Sequence, residues 1–372
     1  MRVLYASGRC HIPQRIDGAL YAAHSLLAFL GRRGHACEAV APIDPRFRGR
    51  LRVYRAARML SGRRLLGLPD RLNGYVTWRA WENLLSLLID RRLQRFRPDL
   101  VLTQLEGSEA IAAAAIRAGV PVIVWIHDNE FTYFKGTLPP SPLLLTVSAT
   151  DFVSAGMAAR LGLDSPVLYP PVDLDRCRTS RDQADCVTLM NPVREKGVDI
   201  VLRVAELLPH RRFLLVETWP LTAERRAELE RRLARLPNVS LRPPSPDVRS
   251  VYARTKVLLA PSQWVEAFCT VAFEANASGI PVVASRIGGI PTTLGEGGIL
   301  LAPDAPPEEW AAAVEGLLAE PAAYDRLSRR ALANAARPEF SPDRIVSRFL
   351  EIAEAHLRRT RERAGTVQAV GG

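Results

Sequence analysis

Long apolar runs are missing from this chain: none approaches the 18 or more residues that a membrane-spanning helix needs. The amino terminus runs straight into a strand-like segment with no secretory pattern before it, so a cytoplasmic protein is expected. Cysteine is sparse. Cys10, Cys37, Cys177, Cys186 and Cys269 are odd in number, scattered and without a CxxC pair, which argues against a disulfide framework or a zinc cluster and predicts reduced, mostly buried thiols. No GxGxxG follows the first strand, which argues against a dinucleotide-dependent dehydrogenase. No DxD pair stands at a strand end where it would hold Mg2+, so no metal site is expected. Lysine is nearly absent: only Lys135, Lys196 and Lys256 contribute to the 50 basic residues. The net charge of +11 is therefore carried by arginine, a bias that reflects genome composition as much as anionic partners. No reading module or aromatic platform accompanies the arginines, and nucleic acid is not expected as a partner.

What is present is a chain of 372 residues, 48% apolar, long enough for two domains of about 180 residues each. A strand at 2–6, a helix over 17–30 and a strand at 38–41 form a right-handed parallel unit of the Rossmann kind. Strands follow at LVLT, VIVWIH, 143–147 and 167–169, with a helix over 151–161 between the last two. The segment YPPVD and the polar stretch 176–185 mark a crossing into a second set of alternating strands and helices. This set opens with CVTLM and the turn NPVREKG and closes with a helix from about 341 to 363. Between the second strand and Trp78, Arg48, Arg52, Arg55 and Arg58 fall near one face of an expected helix, followed by Arg63 and Arg64. A cationic helix of this kind over Arg48–Arg64 docks at an anionic lipid surface, guides an anionic acceptor or is simply a solvated face.

The stretch EAFCTVAFEANASGIP, 266–281, organises the rest. Glu266 and Glu274 flank Thr270, the expected helix N-cap, and Gly279 and Pro281 close the helix. In a continuous helix the two carboxylates would stand about 12 Å apart along the axis on different faces. With Glu266 in a loop instead, both turn toward one elongated ligand at a helix start, whose unpaired N–H groups and partial positive charge suit a phosphate. Strand-like runs VLLAPS and PVVAS and the pair Gly288-Gly289 surround the motif.

This run resembles the E-x7-E signature of family 4 retaining glycosyltransferases (glycosyl transferases group 1), enzymes of the GT-B fold. The resemblance extends through Arg33-Gly34-His35, Arg97-Pro98-Asp99, Val120-Pro121 and YPPVD to about Pro338. It implies an α/β architecture of two Rossmann-like domains facing across a cleft. The implied division is an acceptor-side domain at 1–172, a nucleotide-sugar domain at 173–340, a helix at 341–363 crossing back to the first domain, and an unordered tail at 364–372. By position, Glu266 would meet donor-sugar hydroxyls, Glu274 the nucleotide ribose, and His127, at a strand end, the donor sugar. The backbone N–H groups of Phe268, Cys269 and Thr270 would face the diphosphate, although the family usually has glycine where Cys269 stands. Gly18 is the nearest match to the glycine-bearing donor loop, or else part of the helix start with Asp17. The family's Arg and Lys, five apart, fall on Asn191 and Lys196; Arg194 is then the candidate for the missing charge.

The implied function is metal-independent transfer of a sugar, with retention, from a nucleotide diphosphate sugar (UDP-sugar being the expected donor) to a hydroxyl acceptor. That acceptor is a small molecule, a glycan or a lipid-linked compound. The nucleotide sugar is a co-substrate and no cofactor is expected. Attack from the leaving-group face, with phosphate oxygen assisting deprotonation, needs no protein nucleophile. Two rival readings remain: a sugar-nucleotide epimerase of the same fold, for which only His127 and Glu266 offer acid and base groups, and a non-catalytic module binding a partner or the inner membrane face.

Overall fold

In the computed structural model the described residues are all but 45, 47–51, 53–55, 57–58, 60–64, 130–137, 220, 246 and 371–372; from 364 to 370 only the helical backbone is described. Contacts divide the chain into two compact units, Met1–Pro171 with Pro342–Gly372, and Val172–Ser341. Each is built on one predominantly parallel sheet.

The first sheet has seven strands: β1 Arg2–Ala6, β2 Ala36–Pro42, β3 Leu68–Asp70, β4 Val76–Ala80, β5 Leu100–Gln104, β6 Val122–Ile126 and β7 Leu144–Ser148. Their order is β3-β4-β2-β1-β5-β6-β7, parallel except for the antiparallel edge strand β3. Val3, Leu4 and Tyr5 and every residue of β5 and β6 are buried, because helices cover both faces of such a sheet and its strands read as unbroken apolar runs. The final helix, Pro342–Val370, belongs to this unit. Ile345, Val346, Phe349, Ile352 and Ala353 pack in one cluster with Tyr5, Leu26 and Trp125, and Arg33 pairs with Asp343 at 2.9 Å.

The second sheet has six strands: β8 Cys186–Met190, β9 Arg212–Val216, β10 Val239–Arg242, β11 Thr255–Ala260, β12 Val282–Ser285 and β13 Gly298–Leu301. All pair in parallel in the order β10-β9-β8-β11-β12-β13. The order reverses between β8 and β11, and between β1 and β5 in the first sheet. Open parallel sheets place ligands outside the carboxyl ends of the strands at such reversals.

Three expectations are corrected. Residues 167–169 form only an isolated bridge, Ser148 to Val167, because Pro166, Pro170 and Pro171 remove the donors a ladder needs. The chain from 364 to 370 is helical rather than unordered: it contains no proline, and extending a formed helix costs little per residue, even with Gly365 opposing it. Strands β3 and β4 were not expected, since Arg79 occupies a buried position that a charged residue rarely takes. Of the arginine set over 48–64, Arg48, Arg55, Arg58, Arg63 and Arg64 lie outside the described residues; Arg52 is helical and exposed. Among the described residues no helix is long and apolar enough to cross a membrane.

Arg79 explains how the loop after β1 is held. Its Nε pairs with Asp70 at 2.7 Å, while Nη1 and Nη2 donate to the carbonyls of His11 at 3.1 Å and Ile12 at 2.7 Å. The side chain is 2% exposed, so removing it strips a partly buried carboxylate and two carbonyls of a charged donor. Arg79→Leu is expected to destabilise the chain by roughly 3–5 kcal/mol, read as a fall in the urea unfolding midpoint.

Candidate functional site

The site in the second unit grows from the loops that leave β8 and β11. After β8 the backbone turns at Asn191, in the left-handed region at φ 61°, passes through a single 3-10 turn, Arg194–Lys196, and enters the helix Val198–Leu207 at Gly197. Gly197 has φ +77°, and a Cβ there would lie 2.1 Å from the carbonyl oxygen of Pro261. Only glycine lets the two loops approach so closely. Gln263 N donates to Glu195 O at 3.0 Å and seals the contact.

This approach brings Lys196 to Glu266. The Lys196 ammonium donates to Glu266 Oε1, and both side chains are largely buried, 17% and 12% exposed. Ser262 Oγ donates to the same oxygen at 2.8 Å. Among the described residues Glu266 Oε2 accepts no hydrogen bond, so one edge of the carboxylate is committed to the protein and the other remains an acceptor for a hydroxyl. The backbone under this glutamate is clamped by the turn after β12. Gly289 N donates to Glu266 O at 2.7 Å, and Cβ atoms at Gly288 and Gly289 would lie 2.2 Å from Glu266 O and 1.8 Å from Ala267 O.

The helix over the motif is Thr270–Ala277. Its cap is Cys269 rather than the expected Thr270: Cys269 sits at φ 50°, ψ 64°, and no side chain caps the helix. The first N–H groups of the helix have no intrahelical acceptor and carry its positive dipole end. Phe268 turns inward and packs its ring on Phe273 at 5.7 Å and Phe340 at 5.7 Å, which anchors the loop. Burial pushes the Cys269 thiol up to about 12, so it is inert at neutral pH.

Glu274 follows one turn into the helix. The Tyr252 hydroxyl donates to its Oε2 at 2.7 Å. Burial raises the Glu274 carboxyl above its ordinary value, opposed by the Tyr252 hydrogen bond and the charge of Arg176. The two glutamates are thus differently prepared, one bound to a cation and one in a low-dielectric pocket.

The remaining predicted residues are placed as follows. Asn191 is 7% exposed, and its Oδ1 accepts from Thr218 N at 3.2 Å, Trp219 N at 2.8 Å and the Thr218 hydroxyl. Arg194 is 89% exposed and lies 3.4 Å from Asp199. In the first unit, Gly18 is the exposed first residue of the helix Gly18–Arg32, capped by Asp17, whose Oδ1 accepts from Leu20 N at 2.9 Å. His127 stands just past β6 against Trp125, with ring centroids 4.5 Å apart. Burial lowers its pKa to about 3, so the imidazole is neutral, and its Nε2 has no partner among the described residues. Asp128 and Asn129 are described; Glu130 lies outside the described residues. Sequence reasoning missed Ser262, Tyr252 and Trp219. Ser262 was recoverable as the residue ending VLLAPS four before Glu266; Tyr252 and Trp219 carry no local signal.

Cys269 occupies a left-handed position that glycine adopts without strain. Cys269→Gly is expected to fold and retain the site, whereas Cys269→Val, β-branched, is expected to cost about 1–3 kcal/mol, measured by thermal unfolding of the two variants side by side.

Comparison with known proteins bears on the fold. The family model described as Glycosyltransferase Family 4 matches residues 16–176, and that described as Glycosyl transferases group 1 matches residues 185–320. A D-inositol 3-phosphate glycosyltransferase of Mycobacterium avium is 33% identical over 221 residues, 54% of this chain and 51% of that protein. A sulfoquinovosyl transferase of Arabidopsis thaliana is 28% identical over 294 residues, 68% of this chain and 56% of the other. The chain spans about half the length of the curated relatives it matches. Among solved structures, Anabaena HepE in complex with UDP-glucose superposes with a TM-score of 0.73 at 17% identity, covering 95% of this chain and 100% of that one. A glycosyltransferase from Rickettsia africae gives 0.72 at 14%, covering 95% and 98%. With a family 4 domain followed by a group 1 domain on the GT-B fold, the chain belongs to the family 4 glycosyltransferases.

Proposed function

We propose that the chain moves a sugar, with retention of configuration, from a nucleotide diphosphate sugar held by its second unit to a hydroxyl acceptor. The observation that carries this reading is the pairing of Lys196 with Glu266 at the β8–β11 reversal, beside the start of the helix Thr270–Ala277. Three recognition elements then come from the motif and from the loop that carries Lys196. Glu274 accepts from the ribose hydroxyls. The ammonium of Lys196 and the N–H groups opening the helix take the diphosphate. The free edge of Glu266 accepts a sugar hydroxyl.

The same groups supply the chemistry. As the bond to the anomeric carbon breaks, negative charge grows on the departing diphosphate, and a preorganised ammonium and helix dipole stabilise it most where water is scarce. Lys196 is oriented by Glu266 Oε1, so it meets the phosphate without a search through rotamers. Because this charge comes from the protein, turnover is expected to proceed without a divalent metal and to survive chelation by EDTA. UDP is the first nucleotide to test, since the Anabaena neighbour is described in complex with UDP-glucose. The inositol phosphate named for the Mycobacterium avium relative makes a phosphorylated cyclitol the first acceptor to test.

Calorimetric titration of UDP into the intact chain tests the donor assignment. Glu274→Ala is expected to weaken UDP by tenfold or more, and an unchanged dissociation constant would remove the ribose role. The charged carboxylate is the better acceptor, so affinity is expected to fall as pH drops through the raised pKa of Glu274. Tyr252→Phe removes a hydrogen bond that favours the charged form, so in this variant the fall should begin at higher pH.

A further inference from the structure

We propose that Trp219 is a positioning residue for Lys196, and that Asn191, where the family carries an arginine, acts one step further back by fixing Trp219. The inference rests on the functional reading above for its consequence, but its geometry stands alone. The Lys196 ammonium lies 5.1 Å from the centroid of the Trp219 indole, within the range of a cation–π contact. The ammonium therefore has two partners, the Glu266 carboxylate and the Trp219 ring.

The residues on either side of Trp219 are anchored by hydrogen bonds. Glu217, at the carboxyl end of β9, is 2% exposed; its Oε1 accepts from Leu221 N at 3.0 Å and its Oε2 pairs with Arg226. Between these anchors the backbone at Thr218 and Trp219 donates to Asn191 Oδ1. Asn191 takes a left-handed backbone, φ 61°, and buries its amide to make these bonds. An arginine at this position has no acceptor atom and could not satisfy the two N–H groups. Asparagine at 191 thus gives up one phosphate-directed cation and, in exchange, builds the platform that holds the remaining one. Arg194, 89% exposed and beside Asp199, is not needed in that role.

The scarcity of lysine makes the platform directly observable. Reductive methylation of the intact chain with 13C-formaldehyde labels only Lys135, Lys196, Lys256 and the amino terminus. The Lys196 resonance, assigned by its loss in Lys196→Met, is expected to be ring-current shifted, to move toward the ordinary lysine position in Trp219→Leu and Asn191→Ala, and to stay shifted in Trp219→Phe. A Lys196 resonance unmoved by Trp219→Leu overturns the proposal whether or not any nucleotide binds. The consequence is read by titrating UDP and uridine. Trp219→Leu should weaken UDP about tenfold, leave uridine unchanged, be rescued by Trp219→Phe and add nothing in a Lys196→Met background. Equal losses for UDP and uridine, or the same loss without Lys196, would show that Trp219 merely supports the loop and would overturn the proposal. Wild-type protein that binds no UDP would sink the donor assignment but leave the methyl resonance to decide on Trp219.

Discussion

The contact between Gly197 and Pro261 is the constraint on which the second unit's site depends. Strands β8 and β11 are separated by 64 residues of chain from Met190 to Thr255, wound through two intervening strands, β9 and β10, and they become neighbours only in the sheet. Where they end, two loops leave side by side, and the missing Cβ at Gly197 lets them touch. Lys196 and Glu266 then meet as a consequence of backbone approach, not of their own attraction alone. A largely buried pair of this kind is expensive to desolvate and needs every remaining lone pair satisfied or put to use. Here Ser262 shares one oxygen with the lysine, and the other oxygen stays available.

The two glutamates of the motif show how one residue type is prepared for two tasks. Glu266 lies in a loop pinned by Gly288 and Gly289, bound to a cation that orients it. Glu274 sits on a helix, in a pocket walled by Tyr252, where burial opposes its charge and a phenol restores part of it. Between them the helix start at Cys269 and Thr270 offers N–H groups. The spacing along the chain is set by the need to step from a loop onto one turn of helix.

The first unit applies similar methods to another end. Its loop after β1 is tied by a buried arginine, by Gly8 N donating to Glu106 O at 2.9 Å, and by the ion pair of Arg9 with Asp17 at 3.0 Å. His11 and His127 are both buried and both driven toward the neutral form, so the carboxyl edge of this sheet presents hydrogen-bonding groups in place of added positive charge.

Strand runs such as VLLAPS and VIVWIH, the helices over 17–30 and 151–161, and the E-x7-E spacing were legible because they are local: apolar periodicity and capping chemistry act over a few residues. The family was legible for the same reason. The sequence by itself thus determined two parallel α/β sheets and the pair Glu266 and Glu274. Strand β4 escaped because Arg79 reads as a surface residue until Asp70 and two carbonyls are seen around it. Asn191 read as a lost phosphate ligand until the donors to its Oδ1, Thr218 and Trp219, were in view. What only the tertiary structure decided is which oxygen of Glu266 is free, which ring faces Lys196 and why cysteine can hold a glycine's place. These depend on contacts between residues far apart in the chain, and the energy of such a contact is not written in either residue until the fold has paired them.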